Sequence, residues 1–108
     1  MMIFIYLFSA HAICDYPLQG EFLAKGKNAF APLVGVPWYQ CLLAHCLIHA
    51  GAVALITQRW ELGLAEFIIH WFTDYAKCEG KITFNQDQAI HYACKVGWAV
   101  IVLLNVRL

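Results

Sequence analysis

Apolar residues fall into four long stretches separated by polar punctuation, at about Met2–Asp15, Trp38–Gln58, Leu62–Ala76 and Gln88–Val106. Each is predominantly apolar without strict alternation, and each is longer than an ordinary strand, so the pattern predicts four helices. Trp38 and Trp60 flank the second stretch and no charged residue occurs from Trp38 through Gln58, the pattern of a spanning helix with interfacial aromatics. The fourth is also long. The first and third hold only about 15 residues, or ~22 Å of helix against a ~30 Å hydrocarbon core, so they are expected to end in wet or thinned surroundings. Between the first two stretches lies Pro17–Phe30, where Pro17 suits a first helical turn and Leu18, Phe22, Leu23 and Phe30 are separated by Glu21, Lys25 and Lys27. This reads as a short interfacial helix, with Lys25 and Lys27 on its solvated or headgroup face. The expectation is an all-α, polytopic membrane four-helix bundle, one domain over residues 1–108.

Composition points the same way. Of 108 residues, 62% are hydrophobic and 13% charged, against roughly 45–50% and 25% in soluble domains. Lys plus Arg equals Asp plus Glu at seven each, so no basic field exists to hold a phosphate backbone and nucleic acid is excluded as a partner. Five cysteines, Cys14, Cys41, Cys46, Cys78 and Cys94, lack C-x-x-C spacing and read as small buried hydrophobes rather than as disulfides or a zinc ribbon. The start contains Ala10-His11-Ala12, which resembles a signal-peptide cleavage site, but no basic segment precedes it; it reads as structure. Lys25, Lys27, Lys77 and Lys81 lie in the first and third loops, with Arg59, Arg107 and the amino terminus opposite. Positive-inside weighting puts those two loops in the cytoplasm of a bacterial inner membrane.

Histidine and aspartate carry the chemistry. The chain has five His and three Asp, and all eight fall into four pairs at i, i+4: His11/Asp15, His45/His49, His70/Asp74 and Asp87/His91. Four residues are about 6 Å of rise and little more than one turn, so each pair projects from one helix face. In an up-down bundle all four pairs fall in the half nearest loops one and three. Glu66 precedes His70 by four residues and Lys95 follows His91 by four. In antiparallel neighbours these two would meet, and a Glu66–Lys95 ion pair beneath the site is expected because an unpaired charge at that depth is costly.

Ala10-His11, Asp15-Tyr16-Pro17-Leu18-Gln19, His45 with Ile48-His49, His70 with Asp74, and Asp87-Gln88 with His91 together resemble a bacterial and phage family of small multi-pass membrane proteins, domain of unknown function 3307. The resemblance covers nearly the whole chain. It implies a topology and a set of polar positions and supplies no reaction. A looser similarity, in the use of intramembrane His and Asp, is to bacterial inner-membrane metal-dependent hydrolases.

Imidazole and carboxylate are ligands for zinc, manganese and iron, and facing helices of a bundle can gather them around one or two ions. All eight paired residues are therefore candidate metal ligands, zinc first, with Asp15 and Asp74 also candidates for acid/base work or for orienting the imidazoles from behind. One histidine on an apolar helix is ordinarily a satisfied interior residue. Four pairs at one depth, where ionisable groups are rare unless used, argue for a shared site over a purely structural His–Asp network. The leading expectation is a dinuclear metal-dependent hydrolase of a lipid or lipid-linked substrate entering from the bilayer. Two alternatives stand beside it: an interaction protein that binds a membrane-protein partner or a second copy of itself around a structural metal or polar network, and an ion or proton transporter. Val53–Ile56 and Val96–Leu104 are nearly all apolar, which favours a closed site over a path through the bilayer.

Overall fold

A computed structural model describes residues 2–106, which form five helices: α1 (Met2–Asp15), α2 (Gly20–Gly26), α3 (Trp38–Thr57), α4 (Trp60–Glu79) and α5 (Phe84–Leu103). The described residues are all-α. The four long helices form a ring in which α1 packs on α3 and α5, and α4 closes the ring between α3 and α5, while short α2 lies against α3.

The turns set the antiparallel order. Only Gln58 and Arg59 separate α3 from α4, with Thr57 Oγ1 donating to the Val53 carbonyl at 2.7 Å and accepting from the Arg59 amide at 3.2 Å. Arg59 also donates to the Val106 carbonyl at 2.6 Å, which ties the end of α5 to this corner. Gly63 lets α3 and α4 approach closely: a Cβ there would lie 2.9 Å from both the Ala50 carbonyl oxygen and the Ala54 Cβ. At the other end, Gly80 and Lys81 amides cap α4 through the Lys77 and Ala76 carbonyls. Thr83 and Gln86 then form a reciprocal capping box that starts α5, satisfying two amides that would otherwise be orphaned.

Several sequence expectations are corrected. The third helix runs from Trp60 to Glu79 rather than 62–76, and the fourth from Phe84 to Leu103 rather than 88–106. Polar residues near their ends, Glu61, Lys77 and Glu79 in one and Asn85 to Asp87 in the other, belong to helical turns and are not punctuation. The interfacial segment 17–30 contains helix only over Gly20–Gly26. Pro17 sits in the turn that follows α1, and the left-handed backbone at Gly20 (φ 64°) separates that turn from α2. Of the four expected spans, one helix, Trp38–Thr57, is long and apolar enough to cross a membrane among the described residues. Met2–Asp15 is apolar but only 14 residues long, whereas α4 and α5 reach 20 residues and lose apolar character to charged residues, Glu61, Glu66, Asp74, Lys77 and Glu79 in one and Asp87 and Lys95 in the other. Arg107 and Met1, weighed for orientation, lie outside the described residues.

The bundle has two unlike halves. Around the Gln58–Arg59 corner, Leu7, Val53, Leu62, Trp98 and Ala99 form an apolar core, with Ile3, Phe4, Ile56 and Ile69 against it. The half near the α4–α5 turn is filled by polar side chains.

Candidate metal centre

Each long helix delivers its pair to the same place. The last turn of α1 presents His11 and Asp15, an early part of α3 presents His45 and His49, the second half of α4 presents His70 and Asp74, and the start of α5 presents Asp87 and His91. All eight are buried, Asp15 being the most exposed at 8%.

Asp15 and Asp74 occupy the middle. Asp15 Oδ1 lies 3.2 Å from both His45 Nε2 and His49 Nε2. Asp74 Oδ2 lies 3.3 Å from His45 Nε2 and 3.6 Å from His70 Nε2, while its Oδ1 lies 3.2 Å from His91 Nε2. His45 Nε2 and His70 Nε2 are 3.1 Å apart, and His91 Nε2 is 3.3 Å from Asp87 Oδ1. The imidazoles of His49, His70 and His91 stack in sequence, with centroids 3.9 and 4.0 Å apart. Three donor sets emerge, Asp15 with His45, His49 and His70, Asp74 with Asp87 and His91, and Glu66 with His70 and His91, of which the first two share no residue; in each, one donor atom per residue lies within 4.8 Å of the others.

Two observations test whether a cation fits. Donor atoms bound to one ion at about 2.0–2.2 Å are separated by about 3.0–3.4 Å in octahedral or tetrahedral arrangements, close to the distances above. In addition, His49 Nε2 and Asp87 Oδ1, like the Nδ1 atoms of His11, His45 and His91, are buried without a hydrogen-bond partner, and these two each face a neighbouring site atom at 3.2–3.3 Å. Lone pairs that converge without hydrogen-bond alignment are what a shared cation requires, and buried polar atoms are otherwise nearly always paired. The residues could hold a metal ion.

Behind this layer stands a second. Glu66 Oε2 lies 3.2 Å from His70 Nδ1, so this carboxylate holds the ring with Nε2 toward the centre, the usual support for a ligating histidine. The Lys95 ammonium donates to Glu66 Oε1, as does Trp98 Nε1 at 3.3 Å. The orienting carboxylate is thus Glu66, and Asp15 and Asp74, which sequence reasoning offered for that part, instead face the imidazole nitrogens directly.

His11 stands apart from the three sets. Its Nε2 faces Gln88 Oε1 at 3.1 Å, and Gln88 Nε2 donates to Asp15 Oδ2 at 2.7 Å, so Gln88 fastens α5 to α1 and fixes the Asp15 carboxylate. Sequence reasoning saw Gln88 only as part of a motif. It also assigned Lys27 to a solvated face, and this is corrected. Lys27 is 5% exposed and its Nζ donates to Asp74 Oδ2 at 2.6 Å. The signal available was spacing: Lys25 pairs with Glu21 four residues earlier on the outside of α2, and a residue two positions on must face elsewhere.

Fold and site define a class: a small all-α bundle with a buried cluster of histidines, aspartates and lysine-paired carboxylates. Residues 3–106 match the family model described as Protein of unknown function (DUF3307), and the chain belongs to that family. The match carries neither an origin nor a membrane location. No curated protein and no solved structure matches the chain.

Proposed function

We propose that this protein is a membrane metalloprotein that binds a divalent transition-metal ion, zinc first by its ligand chemistry, and hydrolyses an ester or phosphoester of a lipid or lipid-linked substrate. The observation that carries the proposal is the convergence of donors from four helices on one buried centre where His49 Nε2 and Asp87 Oδ1 have no hydrogen-bond partner. Three imidazoles and a carboxylate, without paired thiolates, suit zinc, with manganese or iron next. Such an ion supplies Lewis acidity and a water nucleophile at neutral pH. Glu66 orients His70, Gln88 orients Asp15, and the surrounding helices exclude bulk water.

The membrane part of the proposal rests on an inverted distribution of polarity. Among the described residues the buried set holds 13 polar or charged side chains against nine hydrophobic ones. Large apolar side chains lie outside, including Ile5, Ile13, Leu47, Leu55, Ile68 and Phe72, each about half exposed or more. Soluble domains bury such residues, whereas a bilayer solvates them. Glu66, Asp74, Asp87 and Lys95 are buried, and Glu61, Lys77 and Glu79 lie at the ends of α4, so the middles of the helices can still present an apolar exterior to lipid. The test is elemental analysis of protein purified from membranes without chelator, paired with His45→Ala and His49→Ala variants. Wild type is expected to retain metal and both variants to lose it, with loss of lipid-ester or phosphoester hydrolysis. Metal-free wild type, folded and complete, would refute the proposal.

A further inference from the structure

The centre is closed. All eight paired residues are 8% exposed or less, so neither an ion nor a substrate reaches them until some element moves. The four long helices are fastened to one another. Gly63 sets α4 directly against Ala50 and Ala54 of α3, Lys95 of α5 donates to Glu66 of α4, and Gln88 of α5 donates to Asp15 at the end of α1.

Short α2 is held differently. Its backbone packs on α3 alone among the helices. Left-handed glycines stand on either side of it, Gly20 (φ 64°) and Gly35 (φ 76°), each with nothing within 4 Å of where a Cβ would lie. Such unpacked joints absorb backbone rotation at little cost. Between them the segment meets the ring at Gly26, where a Cβ would lie 2.6 Å from Cys41 Sγ, and at Lys27, whose Nζ donates to Asp74 Oδ2 at 2.6 Å. The Phe30 ring also meets Tyr75 edge-on. Packing beside these contacts is incomplete: a cleft of about 380 Å³ opens between α2 and α3, lined by Phe22, Leu23, Val36, Gln40, Cys41 and Ala44 among others. Cys41 shares a helix face with His45, four residues on, so the cleft ends one turn from the centre.

Resting on the metal reading above for what passes through it, we infer that α2 is the gate of the centre: the segment between Gly20 and Gly35 swings off α3, with the Lys27–Asp74 ion pair as its latch and the cleft beside Cys41 as its mouth. Opening hydrates Lys27 and Asp74 together, so neither charge is left alone in an apolar interior, the costly way to break such a pair.

The experiment uses the chain's own cysteines. N-ethylmaleimide labelling of the full chain under native conditions, resolved by mass spectrometry, reads Cys41 against Cys14 on α1 and Cys46 further along α3, both also buried. Lys27→Met is expected to raise the Cys41 rate roughly tenfold or more, with Cys14 and Cys46 unchanged and Lys27→Arg close to wild type. Loss of a neighbouring cation alone slows a thiol, so the rise has the opposite sign to an electrostatic effect. An unchanged Cys41 rate, or an equal rise at Cys46, would overturn the inference. A staple gives a second reading. A Cβ at position 26 would lie 3.4 Å from Cys41 Cβ, close to the separation a disulfide spans, so oxidised Gly26→Cys holds α2 shut. Release of Zn²⁺ to EDTA from the loaded chain is expected to slow roughly tenfold or more in the stapled form and to recover on reduction. Equal release in both forms would overturn the gate. Should Lys27→Met not fold, the staple decides. A folded wild type that holds no Zn²⁺ refutes the metal reading, and the labelling then decides the gate by itself.

Discussion

Replacing Lys95 with alanine removes the only ammonium that contacts Glu66 among the described residues and leaves a carboxylate that is fully buried. Breaking a buried ion pair from one side costs about 3–5 kcal/mol, since the remaining charge is uncompensated. The reverse change, Glu66→Ala, strands Lys95 by a similar amount and also removes the acceptor facing His70 Nδ1 and Trp98 Nε1, each worth roughly 1–3 kcal/mol when left unpaired. The double variant Glu66→Gln/Lys95→Met separates these contributions. It removes both charges while the amide oxygen can still accept one of the two N–H groups, so most of the single-variant loss should return, with about 1–3 kcal/mol outstanding for the group left over. Metal affinity should not return in step. Without the carboxylate behind it His70 is a weaker and less well oriented ligand, and affinity should stay about 10–100-fold down. Denaturant unfolding in one detergent, read beside a zinc competition titration, measures both quantities. The reasoning fails if Lys95→Ala is as stable as wild type, or if the double variant is no more stable than the singles.

Further outcomes follow from other parts of the bundle. Gly63→Leu should destabilise the protein by about 1–3 kcal/mol, because its Cβ alone meets Ala50 and Ala54 at 2.9 Å; an unchanged unfolding midpoint would mean that α3 and α4 are farther apart. Thr83→Ala removes the α5 capping box and should cost about 1 kcal/mol, seen as faster hydrogen exchange confined to the first turn of α5. Thiol labelling in intact spheroplasts should find Cys78 and an introduced Lys25→Cys on the same, cytoplasmic side and Arg59→Cys on the other, and labelling of the first two from opposite sides would break the antiparallel order.

The fold and the site were legible to different depths. Helix periodicity made the four His/Asp pairs readable, since an i, i+4 pair shares a face whatever the tertiary structure does. The ends of α4 and α5 were misplaced because Glu61, Lys77 and Glu79 resemble loop residues by composition alone. The start of α5 was readable all the same, as Thr83 and Gln86 have capping-box spacing. Spacing on α2 turns Lys27 away from the Glu21–Lys25 face but does not name its partner. That partner depends on the turn over residues 16–19, on the left-handed Gly20 and on the contact of Gly26 with Cys41, none of which periodicity records. Glu66 was visible as a partner for Lys95, but its second contact, to His70 Nδ1, depends on which carboxylate oxygen turns toward the ring.

The most direct test of the central claim is anomalous diffraction from crystals of protein purified without chelator, collected on both sides of the zinc absorption edge. The account predicts an edge-dependent peak within bonding distance of donors from the buried His/Asp cluster. A centre that holds no ion at full side-chain order, with His49 Nε2 satisfied by water, would contradict it.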